Sequence, residues 1–344
     1  MSVRRVLATA VAGLLFAACG ANASQPSAST GPVTLRLGYF PNVTHATAIV
    51  GIANGTFAQA LGSKVTLEPH TFNAGPEATE ALFSNAIDAS FIGPNPAINA
   101  FIKSSGQAIR IVSGATSGGA FLVVKDGINS AADLKGKKLA SPQLGNTQDV
   151  ALRSWLKDQG LTTDAQGGGD VAITPQSNSQ TLQTFQAGQI DGAWVPEPWA
   201  TQMINAGGHV LVDEGTLWPE GKYVTTHLIV STTFLQAHPD VIKNLIKGEM
   251  AATDFVNSNA SAAQSTVSNE ITRITGSSMS PGVLATAWGN LTFTMDPIAS
   301  SLQKSAEAAK ELGFLDTSDL KGIYDLTLLN QVLSEAGKPT ITQP

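Results

Sequence analysis

Cysteine is almost absent from this 344-residue chain: Cys19 is the only one. No disulfide framework can form, so the folded body must be held by its hydrophobic core. Basic clusters are missing as well. The 20 lysines and arginines face 26 aspartates and glutamates, a formal net charge of −6, and a nucleic-acid binder should not look like this. There is no P-loop, no zinc-spaced cysteine and histidine set and no G-x-S-x-G elbow, and His45, His70, His209, His227 and His238 fall at no metal-ligand spacing. No catalytic residue, metal or cofactor is therefore expected. Beyond residue 20 no apolar stretch is long enough to cross a bilayer as a helix, and no internal repeat of fixed period occurs. A chain of this length exceeds the roughly 250–300 residues at which one core stops growing. Two lobes, and so a cleft between them, are the expectation.

What the chain does have begins at its amino end. Arg4 and Arg5 precede a short apolar run, Val6 to Ala18, which ends in Ala17-Ala18-Cys19-Gly20. That is the layout of an export signal, too short to span roughly 30 Å of hydrocarbon. With the cysteine at the cleavage point the segment resembles a bacterial lipobox, although Phe16 stands where Leu is usual. Residues 1–18 are then a lipoprotein signal peptide, and Cys19 carries a diacylglyceryl anchor that holds the exported protein at the outer face of the cell membrane or in the periplasm. The alternative is a plain secretory signal followed by an unmodified cysteine. Removal of the signal leaves 18 basic residues against 26 acidic ones. Residues 19–32, mostly Ser, Ala, Asn, Gln, Pro and Thr, read as a flexible tether.

From Val33 onward strands and helices alternate. VTLRLGYF, KVTLEPHTF, IDASFIG and IRIVSGA read as strands, separated by helical periods in THATAIVGIANGTFAQALG and from Glu77 to Asn85, which predicts a parallel α/β layer. After AFLVVKDG a second series follows: the end of DLKGKKLASPQ, a helix from about Asn146 to Gly160, DVAITPQ, a helix around Gln180 to Ala187, and DGAWVP. KYVTTHLIVS is the last strand-like stretch, and everything after Thr233 has a helical period. The chain is expected to leave the first lobe near Phe121 and return near Thr225. Residues 33–118 and 226–344 then form one lobe and 119–225 the other, joined by a two-segment hinge.

In open parallel sheets ligands lie beyond the carboxyl ends of the strands. The loops expected there are Pro41–His45, Asn73–Glu77, Gly93–Ala97, Gly114–Gly119, Gln143–Asp149 and Pro196–Trp199, and none contains Lys or Arg. Small and uncharged residues at helix starts suit an anion held by backbone N–H groups, hydroxyls and helix dipoles. The candidate contacts are Asn42, Thr44, His45, Asn95, Thr116, Asn146, Thr147, Gln148 and Glu197. Each has a plainer reading. Asn146 or Thr147 can be a helix cap, Asn95 between Pro94 and Pro96 can shape a turn, and His45 can be structural. Glu197, between Pro196 and Pro198, either meets a cationic or NH-bearing part of the ligand, pairs across the hinge, or is solvated at the rim.

The order of VTLRLGYFPNVTHA, FNAGPEATEALFSNAIDASFIGPNPAINAF, DLKGKKLASPQLGNTQDVALRSWL, TFQAGQIDGAWVPEPWA and HLIVSTTFLQAHPDVI resembles the substrate-binding proteins of ABC importers for aliphatic sulfonates, taurine and nitrate. The resemblance covers nearly all of Val33 to Asp325. It implies a monomeric protein of the type II periplasmic-binding-protein fold, not an enzyme, that closes on a small anionic or zwitterionic solute and delivers it to a permease and its ATPase. By position it places ligand loops at Asn42 to His45, Gly93 to Asn95, Asn146 to Gln148 and Pro196 to Pro198. Where sulfonate and nitrate members commonly present Gly-Asp, this chain has Gly93-Pro94-Asn95. Enzymes that share the fold, among them the thiamine-pyrimidine synthases with a cysteine-rich motif, are the third alternative after receptors for nitrate or an aminopyrimidine. The single cysteine speaks against it.

Overall fold

The computed structural model describes residues 32–344; Cys19, the signal segment and most of the tether lie outside them. Eleven strands are found among these residues: β1 (Val33–Tyr39), β2 (Val65–Thr71), β3 (Ala89–Ile92), β4 (Ile109–Gly118), β5 (Ala120–Lys125), β6 (Lys138–Ser141), β7 (Ala172–Pro175), β8 (Gly192–Pro196), β9 (Gly208–Asp213), β10 (Val224–Ser231) and β11 (Leu291–Phe293). They build two sheets, in the orders β11-β4-β10-β3-β1-β2 and β7-β6-β8-β5-β9. The expected two α/β lobes are present.

The layers are not purely parallel, and the correction has a topological cause. In the first sheet β1 runs parallel to β2 and β3, but β10 is antiparallel to both β3 and β4, and β11 is antiparallel to β4. In the second, β6 is parallel to β7 and β8 while β5 is antiparallel to its neighbours β8 and β9. The chain leaves β4 at its carboxyl end, Gly118, and after the single residue Gly119 enters the second sheet at Ala120. A strand entered from the carboxyl side of a sheet must run backwards. β5 and β10 are those strands, so both crossings lie at the carboxyl ends of the parallel strands.

The second sheet shows how a short apolar run serves two faces. Ala120, Leu122 and Val124 of β5 pack with Leu139, Leu152, Leu156 and Trp194, while Phe121 and Val123 pack with Ala193, Val195, Phe185 and Met203. Period-two alternation sends neighbours to opposite layers. In the first lobe the helix Pro239–Ser258 lays Ile242, Leu245, Ile246, Ala252 and Val256 into the same core as Leu35, Leu37 and Ile49. The segment after Thr233 is not wholly helical, because β11 pairs with the end of β4. The stretch Thr44–Gly62, expected to be helical, holds two α-helices, Ala46–Ala53 and Thr56–Leu61, broken where Gly55 takes a left-handed φ of 72°.

Candidate functional site

Between the two sheets lies a cavity of about 30 Å³ lined by Phe40, Asn42, Thr44, His45, Asn73, Ala74, Gly75, Gly93, Pro96, Pro142, Asn146, Thr147, Gln148, Asn178, Pro196 and Thr225. Roughly 10–15 Å³ of such space suffices for one water, so the cavity suits a head group of a few atoms. No Lys, Arg, Asp or Glu is in this lining. Instead, helix starts converge on it. Ala74 precedes the helix Gly75–Phe83, Gly93 the helix Pro94–Lys103 and Asn146 the helix Thr147–Asp158, while Asn178 opens the helix Asn178–Gln186 and His45 precedes Ala46–Ala53. Each start carries unpaired N–H groups and up to roughly half a positive charge.

Asn146 fulfils the capping reading with one atom only. Its Oδ1 accepts from Gln148 N at 2.8 Å, and the residue still lines the cavity. The Thr147 hydroxyl is buried with no protein partner, which leaves it for a ligand. Gly93 makes room for it, since a Cβ there would lie 2.4 Å from Thr147 Oγ1. The loop before this helix is fixed by Asp149, whose carboxylate accepts from Ser141 Oγ (2.7 Å), Gly145 N (2.8 Å) and Arg153 Nε (3.0 Å). Asp149 and Arg153 are both buried, so this acid adjoins the site already paired.

On the first lobe, the Phe40 backbone N–H donates to His45 Nδ1 at 3.3 Å. Burial pushes the His45 pKa down to about 3. The ring is therefore neutral, with its proton on Nε2, and it contributes a donor without a charge. The Thr44 carbonyl accepts from Thr116 Oγ1 at 2.7 Å and Thr226 Oγ1 at 3.0 Å. Asn42 Oδ1 accepts from Trp199 Nε1 of the other lobe at 2.8 Å.

Of the sequence candidates, Asn42, Thr44, His45, Asn146, Thr147 and Gln148 come together around the cavity, and three do not. Thr116 braces Thr44 from behind. Asn95 turns away and donates from Nδ2 to the Ser305 carbonyl at 3.2 Å. Glu197 is fully buried and accepts from Thr201 Oγ1 (2.8 Å), Thr201 N (3.1 Å) and Asn290 Nδ2 (2.7 Å). Asn290 immediately precedes β11 of the first sheet, so the carboxylate is bonded between an element of each sheet. Burial raises its pKa and these hydrogen bonds oppose the rise. Asn73, Asn178 and Thr225 line the cavity without having been singled out. Asn178 had a readable signal, since it opens a helix after a strand just as Asn146 precedes one.

Among the described residues no cluster of three or more His, Cys, Asp or Glu could hold a metal ion, and no helix is long and apolar enough to cross a membrane.

The comparisons with known proteins agree with this architecture. The taurine-binding periplasmic protein of Escherichia coli is 28% identical over 205 residues, 60% of this chain and 61% of that protein. The alkanesulfonate-binding protein SsuA of Xanthomonas axonopodis pv. citri, solved with MOPS, superposes with a TM-score of 0.70 at 19% identity, covering 85% of this chain and 97% of that one. The nitrate-binding protein NrtA of Synechocystis PCC 6803 gives 0.71 at 17% identity, with 88% and 89% covered. These likenesses show the type II periplasmic-binding-protein fold. With residues 28–269 matching its profile, the chain belongs to the NMT1-like family.

Proposed function

We propose that this protein is the solute-binding component of an ABC importer and that it captures a sulfonate-type anion, an aliphatic sulfonate or taurine, between its lobes for delivery to a permease and ATPase. The observation that carries this reading is the uncharged cavity into which helix starts from both lobes point. Backbone N–H groups, the Thr147 hydroxyl and neutral His45 offer donors, and no lining carboxylate repels an anion. The taurine-binding relative supports the same solute class. Nitrate is the second reading, favoured by the small volume. A binding role rather than catalysis fits a lining without a cysteine, lysine or carboxylate.

Calorimetric titration with ethanesulfonate and nitrate tests the assignment. A hydrogen bond to a charged ligand contributes roughly 1.5–3 kcal/mol, about one to two decades in affinity, so Thr147→Ala should weaken sulfonate binding by that factor. Its apo unfolding midpoint should barely move. Absence of binding by both anions would defeat the proposal.

We also propose that Cys19 is lipidated and holds the protein at the membrane surface, on the strength of its position at the end of the apolar run. Cys19→Ala should move the protein from the membrane fraction to the soluble one; retention through a high-salt wash would argue against the anchor.

A further inference from the structure

A second cavity, of about 160 Å³, adjoins the first, and Thr147 lines both. Its walls are Thr147, Ala151 and Trp155 of the helix that follows β6, Leu217 and Trp218 after β9, and Ala308 of the helix Ala299–Glu311 that follows β11. Both sheets thus contribute. Residues four apart share one face of a helix, so Thr147, Ala151 and Trp155 form a stripe that starts at the smaller cavity and leads away from it. Ala151 stands one turn, about 6 Å, beyond Thr147. The turn after β3 also borders both spaces, with Gly93 and Pro96 in the smaller lining and Asn95 in the larger. The two spaces meet where Thr147 lies against Gly93, a contact between elements of different sheets. A solute laid across that seam while the lobes are apart is enclosed in both spaces when they close.

The larger cavity differs in kind from the smaller. Trp155 and Trp218 pack on the core of the second sheet but remain only partly buried, and Leu217 is 36% exposed. Three polar residues of the lining already have protein partners: Asn95 Nδ2 donates to the Ser305 carbonyl at 3.2 Å, Lys304 Nζ to the Leu217 carbonyl at 2.8 Å, and Glu214 Oε2 accepts from Trp194 Nε1 at 2.7 Å. Lys304 Nζ also lies 4.7 Å over the Trp218 ring. What these walls offer a solute is chiefly apolar surface. A dry apolar cavity of roughly 150 Å³ takes up one benzene ring, so the space fits a group of that size.

We infer that this cavity is a tail compartment of the binding site, and that the solute carries an apolar group about the size of a benzene ring next to its anionic head, which neither taurine nor nitrate has. This rests on the anion-binding reading of the smaller cavity and selects, within it, a bulky apolar tail over a short or polar one. Ala151 and Ala308, small residues on facing helices, set the width of the compartment, and Trp155 supplies its largest apolar wall on the Thr147 stripe.

Methanesulfonate and benzenesulfonate share a head group and differ in a methyl against a ring, so calorimetric titration of both isolates the compartment. The wild type should bind benzenesulfonate about tenfold or more tighter than methanesulfonate, the gain expected for burying a ring of phenylalanine's size. Ala151→Leu and Ala308→Leu fill the space from opposite sides, and each should bring that ratio to about threefold or less, with the loss falling on benzenesulfonate. A preference that survives both variants would put the ring elsewhere, and an equal loss for both ligands would make the cavity a packing gap between the lobes; either result overturns the inference. If the wild type binds methanesulfonate and the ring adds nothing, the anion reading stands and the tail compartment fails. If neither sulfonate binds, both fail.

Discussion

The carboxyl of Glu214 sits inside the second lobe, where the Trp194 indole donates to its Oε2 at 2.7 Å. Burial pushes its pKa from the ordinary 4.5 up to about 7; the Trp194 hydrogen bond opposes the shift and the neighbouring Asp213 charge adds to it. Between those two values the folded chain holds a proton that the unfolded chain has released, so stability falls as pH rises from about 4.5 to about 7. At roughly 1.4 kcal/mol per pH unit the loss amounts to about 3 kcal/mol at neutral pH. Glu214→Gln retains an acceptor for Trp194 without a titratable charge. Its melting temperature should exceed that of the wild type at pH 8 and converge with it near pH 4. Parallel melting profiles across that range would rule out Glu214 as the source.

At the scale of elements, the sequence was most legible where a pattern has one physical outcome. The alternation of β1 and the helical period from Asn146 onward each predict an element that is present, and the expected helix from about Asn146 to Gly160 corresponds to Thr147–Asp158 behind its Asn146 cap. Strand direction was not legible, since a run such as AFLVVK fits a parallel or an antiparallel neighbour equally well; only the path of the chain between sheets decides. β9 and β11 were missed for a different reason. The first is a largely half-buried edge strand and the second has three residues, so neither carries a sustained apolar pattern. In the site, residue type showed which loops suit an anion but not which side chain faces inward. Asn95 and Asn146 have the same chemistry, and they differ because one finds the Ser305 carbonyl and the other its own helix start.

For the whole molecule, we propose that residues 33–118 and 226–344 move as one body against 119–225, bending about Gly118–Ala120 and Tyr223–Thr226. Gly118 and Gly119 both hold left-handed φ angles, 84° and 72°, which favour glycine between sheets that must turn relative to each other. Two of the bonds that join the lobes lie away from these glycines, Asn42 to Trp199 and Gln143 to Glu77, and opening of the lobes would break them. Small-angle scattering should therefore show a smaller radius of gyration when ethanesulfonate is added. An unchanged radius, with binding verified by calorimetry, would mean that the lobes do not hinge.

The reversed strands also set the order in which a growing chain can finish its two halves. β5 to β9 come from one unbroken run, so the second sheet has all its members once residue 213 has been made. The first sheet does not. β10 lies between β3 and β4, and until it is synthesised those two strands have no shared neighbour and the sheet remains in two pieces. The half that begins the fold is thus the half completed last: β10 joins its two pieces only after the intervening lobe has emerged, and β11 then adds the far edge.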